Sequence, residues 1–226
     1  MVYFVGAGSG APDLITVRGA RLLNQADQII YAGSLVNPEL LDYKKESAVV
    51  YDSAKMTLEE VIEKIQEAES AGKMTVRLHT GDPCVYGAIR EQMDELDKLN
   101  ISYEVCPGVS SFCGAASALN LEYTLPGISQ SVIITRMAGR TPVPERESIA
   151  SFAAHHATMV IFLSTGMLKK LSEELIKGGY EADTPAAIVY KATCLHSCHA
   201  CRGGRTGKYQ KNGADYRRGC DSPGGI

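Results

Sequence analysis

Val2-Tyr3-Phe4-Val5-Gly6-Ala7-Gly8-Ser9-Gly10, continued by Ala11-Pro12-Asp13, is a short apolar run that breaks into a glycine-rich loop. The run reads as a buried strand. Gly6, Gly8 and Gly10 let backbone N–H groups come close to an anion or a flat ligand. A dinucleotide fold is the first comparison, and two features argue against it. The spacing G-x-G-x-G before Ala-Pro-Asp is not G-x-G-x-x-G entering a helix, and the next strand ends Tyr31-Ala32-Gly33 with no acid to hold a ribose. No G-K-[S/T] is present, which excludes a Walker loop. A tight strand-to-helix turn with no ligand is the plain alternative.

Outward from this loop, apolar runs alternate with helical patterns. Residues 2–5, 28–31, 48–51, 74–79 and 103–106 read as strands. Residues 57–70 carry Leu58, Val61, Ile62, Ile65 and Ala68 at helical spacing behind Thr57 as N-cap; residues 87–99 and 110–119 also read as helices. Arg18 and Arg21 fit an exposed helix face. The alternation predicts an α/β fold whose N-terminal sheet is mainly parallel and covered on both faces. Residues 122–127, with Pro126-Gly127, mark a boundary. Beyond it, strands at 131–136, 158–163 and 186–191 and helices near 146–154 and 167–177 predict a smaller α/β domain. The expected division is 1–122, 128–193 and an atypical tail, 194–226.

The 226 residues are 45% hydrophobic with net charge −3, enough for real cores and without the basic excess of a nucleic-acid binder. No apolar run approaches a membrane span, and the N-terminus has no signal-peptide pattern, so a cytoplasmic protein with reduced cysteines is expected. Cys84, Cys106 and Cys113 then read as buried small apolar residues. His79, on a buried strand, reads as structural, and His155-His156 as a helix end.

Two more loops follow strands of the same predicted sheet. Arg77-Leu78-His79-Thr80-Gly81-Asp82-Pro83, with Tyr86-Gly87 just after, places an acid beside a flexible glycine, suited to an ammonium or sulfonium group. Pro107-Gly108-Val109-Ser110-Ser111 offers hydroxyls and N–H groups at a helix start. Ligands of open α/β sheets bind beyond the carboxyl ends of the strands, so three such loops together are a stronger signal than any one.

The three loops resemble those of the tetrapyrrole methylase family: the glycine loop with P-D-L-I-T, then R-L-x-x-G-D-P-x-x-Y-G, then P-G-V-S-S. Residues 130–145, Q-S-V-I-I-T-R-M-A-G-R-T-P-V-P-E, resemble the branch that methylates carbon 11 of precorrin-4 or its cobalt form. The resemblance runs from Val2 to Thr193. It implies a two-domain subunit in a homodimer, S-adenosylmethionine (SAM) as methyl donor and a polycarboxylate tetrapyrrole as substrate. Family donor positions carry over onto Pro12, Gly81, Asp82, Pro83, Tyr86, Ser110, Ser111, Leu163 and Ala192. Substrate contacts are expected at Gly6 and Gly8 of the first loop and at Arg136 and Arg140, since arginine binds carboxylates bidentately. Relatives acting on earlier intermediates have an aspartate after the second strand; here Tyr31-Ala32-Gly33-Ser34 stands there, so no catalytic base is assigned and no metal is required of the protein. A methylase acting at another position and a protein that binds without catalysing are the competing readings.

The composition changes at Cys194. Residues 194–226 hold four of the seven cysteines and seven glycines, and only Leu195 and Ile226 among Leu, Ile, Val, Phe and Met. Their net charge is +4 against −7 for residues 1–193. Such a segment buries too little apolar area to offset its ordering entropy. Cys194, His196, Cys198, His199 and Cys201 fall within eight residues, whereas a structural zinc site pairs two ligand clusters across a loop, so a dedicated zinc site is not expected. Relatives continue past Y-K-A-T with W-P, a helix and an apolar strand. Codons allowed for Gly207–Asp221, read one nucleotide later, can encode E-N-I-R-K-M-A-L-T-T-A-A-V-V-I, a helix end running into a strand. The tail therefore reads as out-of-frame translation, with a natural metal-binding tail as the alternative. Resequencing the gene is expected to show that one inserted or deleted base near the Thr193 codon restores a W-P-containing frame; if no such change does so, the reading fails.

Overall fold

The computed structural model describes residues 1–190, 192–193 and, for the backbone, 199–201. They form two compact units, one of residues 1–119 with 192–193 and one of residues 120–190 with 199–201.

The first unit is a five-stranded parallel sheet: β1 (Val2–Gly6), β2 (Gln28–Tyr31), β3 (Val49–Asp52), β4 (Thr75–His79) and β5 (Tyr103–Cys106), in the order β3-β2-β4-β1-β5. Its helices are α1 (Val17–Gln25), α2 (Leu58–Ser70), α3 (Ile89–Lys98) and α4 (Ser111–Leu119). Period-two alternation sorts the strand residues onto two cores. Val5, Ile29, Val76 and Leu78 pack with Leu22 and Leu23 of α1; Val2, Phe4 and Ile30 pack with Ile62 and Ile65 of α2 and Leu96 of α3. Helix α2 begins at a capping box in which Thr57 and Glu60 satisfy each other's backbone amides.

Strands β1 and β4 are neighbours, yet the helices after them cover opposite faces of the sheet. The chain therefore parts in opposite directions at the carboxyl ends of β1 and β4, the switch point at which open α/β sheets form a crevice. The register pairs Gly6 with His79 and Val5 with Cys106, so the loops after β1, β4 and β5 leave the sheet at one level.

The second unit holds a parallel pair, β6 (Val132–Arg136) with β7 (Thr158–Phe162), and an antiparallel pair, β8 (Ile188–Tyr190) with β9 (His199–Cys201). Helices α5 (Ile149–Ala153) and α6 (Leu168–Lys177) pack closely; a Cβ on Gly178, just past α6, would come within 2.4 Å of Ala150 O and Ala153 Cβ. The helix expected over 146–154 is shorter than its sequence pattern. Glu145–Glu147 form a 3-10 turn, and α5 starts only after Ser148, whose hydroxyl caps Ser151 N–H. The tail and its cysteine-histidine cluster lie outside the described residues except for the short backbone ladder of β9 with β8.

His79 is buried against Phe4, with ring centroids 5.9 Å apart and Nε2 without a partner. Burial, and secondarily the Arg77 charge, pushes its pKa down to about 3. The unfolded chain binds a proton at this residue below its ordinary value of 6.5, and the native state does not until about pH 3. His79 therefore supports stability fully above pH 6.5, and that support is lost as pH falls toward 3. Urea unfolding of His79→Phe is expected to lose this dependence, which approaches about 1.4 kcal/mol per pH unit within the window. Parallel pH profiles for the two proteins would show that His79 titrates normally.

Candidate active site at the strand ends

The three strand-end loops touch one another backbone to backbone. A Cβ on Gly6 would lie 2.6 Å from Gly108 Cα and from Gly81 O; one on Gly108 would lie 2.2 Å from Gly81 O. No side chain fits at either position. The first two loops also form a small antiparallel bridge: Gly8 N–H donates to Gly81 O at 3.2 Å and Gly81 N–H to Gly8 O at 3.0 Å. Gly8 takes φ +80 with its Cα face against Leu14 O. The glycines thus serve contact between loops, a use the sequence pattern did not separate from ligand binding. Gly81 also lies against the start of α4, its Cβ position 3.4 Å from Ser111 N and 3.6 Å from Ser110 Cα. Gly81, Asp82, Ser110 and Ser111 are accordingly brought together, with Ser110 buried and Ser111 exposed.

Asp82 is held by two backbone amides. Its Oδ2 accepts from Gly108 N–H at 3.0 Å and its Oδ1 from Cys84 N–H at 2.8 Å. The carboxylate ties the second loop to the third and closes its own turn. Pro83 is buried. The turn after it is tight, since a Cβ on Gly87 would sit 2.1 Å from Pro83 O. Tyr86 is exposed at φ 56, and Ala88 has φ 49. A left-handed conformation costs a non-glycine residue about 1–2 kcal/mol, and two within three residues must be held by their surroundings.

The first loop is secured from the far end of the described chain. Thr193 Oγ1 donates to Ser9 O at 2.8 Å and accepts from Ala11 N–H at 3.0 Å, and Asn37 Nδ2 donates to Gly10 O at 2.9 Å. Pro12 opens a 3-10 turn directly after this clamp, and Ala192 precedes Thr193 in the same unit. Thr193 was not singled out in the sequence, because a lone threonine carries no signal of a contact made so far away in the chain.

The remaining candidates lie in the second unit. Leu163 follows β7 at φ 54 and is 71% exposed, an unusual state for a large apolar residue. Arg136 is already engaged: Nη1 donates to Met137 O and Thr141 O and Nη2 to Pro142 O, at 3.0 to 3.2 Å. It shapes the turn that carries Arg140, and Arg140 itself is exposed. The expectation that all three cysteines are buried holds only for Cys106; Cys84 lies in a surface turn and Cys113 on the open side of α4. Partial desolvation and then the Asp82 carboxylate raise the Cys84 pKa, which keeps the thiol protonated and unsuited to nucleophilic work. Among the described residues, no group of His, Cys, Asp and Glu could hold a metal ion.

The family profile of the tetrapyrrole (corrin/porphyrin) methylases matches residues 1–198. The chain belongs to this family. Among relatives of this methylase, cobalt-precorrin-4 C(11)-methyltransferase of Methanocaldococcus jannaschii is 54% identical over 192 residues, 85% of this chain and 74% of the relative. Precorrin-4 C(11)-methyltransferase of Mycobacterium tuberculosis is 44% identical over 189 residues, 83% of this chain and 75% of the relative. The fold superposes on the crystal structure of a cobalt precorrin-4 methyltransferase, a cobalamin biosynthetic enzyme, with TM-score 0.86 and 46% identity, covering 90% of this chain and 84% of the other. It also matches uroporphyrin-III C-methyl transferase from Thermus thermophilus complexed with S-adenyl homocysteine, with TM-score 0.73 and 26% identity, covering 90% and 82%.

Asp82→Ala leaves the amides of Cys84 and Gly108 without acceptors. A loss of about 1–3 kcal/mol of unfolding free energy is expected, measured by urea denaturation with no ligand present. An unfolding curve identical to the parent's would show that the carboxylate is not structural.

Proposed function

We propose that this methylase transfers a methyl group from SAM to carbon 11 of precorrin-4 or its cobalt form, in the assembly of a corrin ring, acting as a homodimer in the cytosol. The observation that carries the reading is the 54% identity to a cobalt-precorrin-4 C(11)-methyltransferase over 192 residues. The strand-end loops fit it. They put Pro12, Gly81, Asp82, Pro83, Tyr86, Ser110 and Ser111 at the carboxyl ends of a parallel sheet, and Ala192 belongs to the same unit. Support for an S-adenosyl ligand comes from the Thermus relative, which was crystallised with S-adenyl homocysteine. Leu163 is taken over from the family resemblance, and its left-handed backbone is of the kind that persists at ligand-binding turns.

The chemistry asks little of side chains. The sulfonium methyl is electrophilic as bound, and the electron-rich ring carbon attacks it in line. The new C–C bond forms as the C–S bond breaks; its electron pair returns to sulfur and gives S-adenosylhomocysteine. The conjugated macrocycle spreads the resulting positive charge and then releases a proton to solvent. Orientation of the two partners can supply about 7–11 kcal/mol of the barrier. Rigid backbone loops are suited to that, which is why glycines and carbonyls rather than a general base dominate the strand ends. Arg140, exposed on a turn braced by Arg136, is assigned to a ring carboxylate, and Gly6 and Gly8 to the macrocycle's face.

Calorimetry with purified chain is expected to show SAM binding. Incubation with SAM and the tetrapyrrole should give a product heavier by one methyl group, together with S-adenosylhomocysteine. Arg140→Ala should raise the tetrapyrrole KM by about ten- to a hundred-fold with SAM affinity unchanged. SAM binding without methyl transfer to any tetrapyrrole would indicate a binding protein, and no SAM binding would sink the reading.

A further inference from the structure

Arg77 is a cation set in an apolar face. It lies on β4 between Thr75 and His79, on the side packed with Phe4 and Ile30, and is 6% exposed. No carboxylate pairs with it among the described residues. Instead Nη1 donates to Ile30 O at 2.9 Å, Nη2 to Ser53 Oγ at 3.0 Å and Nε to Gln92 Oε1 at 2.9 Å. Ser53 Oγ in turn donates to Tyr31 O at 3.0 Å. Burial pushes the Arg77 pKa down to about 10, so it remains a cation at neutral pH.

Gln92 is equally buried, and Arg77 dictates which way its amide faces. A guanidinium has only donors, so the amide oxygen must turn to Arg77 and the nitrogen away from it. That nitrogen donates to Ala88 O at 3.1 Å. Ala88 is the left-handed residue from which α3 starts, and the helix has no side-chain cap there. Two residues earlier stands Tyr86, also left-handed. The arginine thus reaches the strained turn through one amide.

We propose that Arg77 and Gln92 are positioning residues that hold the Pro83–Ala88 turn in its left-handed form and so set the affinity of the loop for the methyl donor. The inference rests on the reading of this loop as part of the SAM site. Gln92→Glu separates this role from a merely structural one. A glutamate still accepts from Arg77 and supplies the carboxylate the buried cation lacks, so the melting temperature should equal or exceed the parent's. It cannot donate to Ala88 O. Amide hydrogen exchange of Cys84 and Val85 should therefore accelerate about ten-fold, while amides of β1 and α2 keep their rates. The Kd for S-adenosylhomocysteine, read by calorimetry, should rise by a similar factor. Gln92→Met, which loses both bonds, should loosen the turn and lower the melting temperature together. Unchanged exchange at Cys84 and Val85 in both variants overturns the relay. Faster exchange with an unchanged Kd, or a parent protein that does not bind S-adenosylhomocysteine, leaves the relay standing as a brace but overturns its link to the donor site.

Discussion

The molecule depends on a place where three backbones meet with no room for a side chain. Gly6, Gly81 and Gly108 end or follow three adjacent strands, and Gly6 and Gly108 lie too close to neighbouring backbone to admit even a methyl group. Everything at the carboxyl edge of the sheet is referred to this contact. It fixes the level at which the loops depart, allows the Gly8–Gly81 bridge and places Gly108 N–H where Asp82 can take it. A larger residue at Gly6 or Gly108 would have to push apart neighbouring strands, of which β4 is buried along its whole length. Rigidity here comes from steric exclusion and a few hydrogen bonds rather than from a deep apolar core, which suits a surface that must present carbonyls and amides to a ligand.

Around that contact the strand ends show a division of labour between charge and backbone. Asp82 and Arg77 lie five residues apart, and among the described residues neither is paired with an opposite charge. Each spends its polar atoms on amides, carbonyls or uncharged side chains. Charged groups used this way act as multivalent hydrogen-bond hubs. One carboxylate closes a turn and joins two loops; one guanidinium joins β2, the turn after β3 and α3. The second unit repeats the device, with Arg136 gathering three carbonyls of its own turn.

Most of the architecture was legible from the chain. Short apolar runs gave all five strands of the first unit to within a residue or so, most plainly β4, which is buried on both faces. Thr57 announced the start of α2. The second unit was harder: α5 has only five residues, and the polar stretch at Arg146 that suggested a longer helix folds as a 3-10 turn instead. At the candidate site the motifs located the loops but not the roles of their residues. Asp82, read as suited to a sulfonium group, also ties two loops together, a contact its sequence context does not announce. Arg136, read as a partner for a substrate carboxylate, gathers three carbonyls of its own turn, which no spacing in the sequence foretells. Arg77 and Gln92 stand fifteen residues apart on a strand and a helix, and no spacing rule joins them. The one usable clue was a charged residue flanked by Val76 and Leu78 inside a strand.

Thr193 has a consequence for how the chain is made. Its hydroxyl clamps a loop 182 to 184 residues earlier, so the first loop to leave the ribosome is among the last to be secured. At about 5–20 residues per second, synthesis leaves roughly ten to forty seconds between the appearance of Ser9 and that of the residue that closes on it. The parallel sheet adds to this delay, since β1 cannot pair until β4 and β5 have emerged. During that interval the nascent chain exposes an apolar strand followed by three unsatisfied glycines, the kind of segment a chaperone would have to shield.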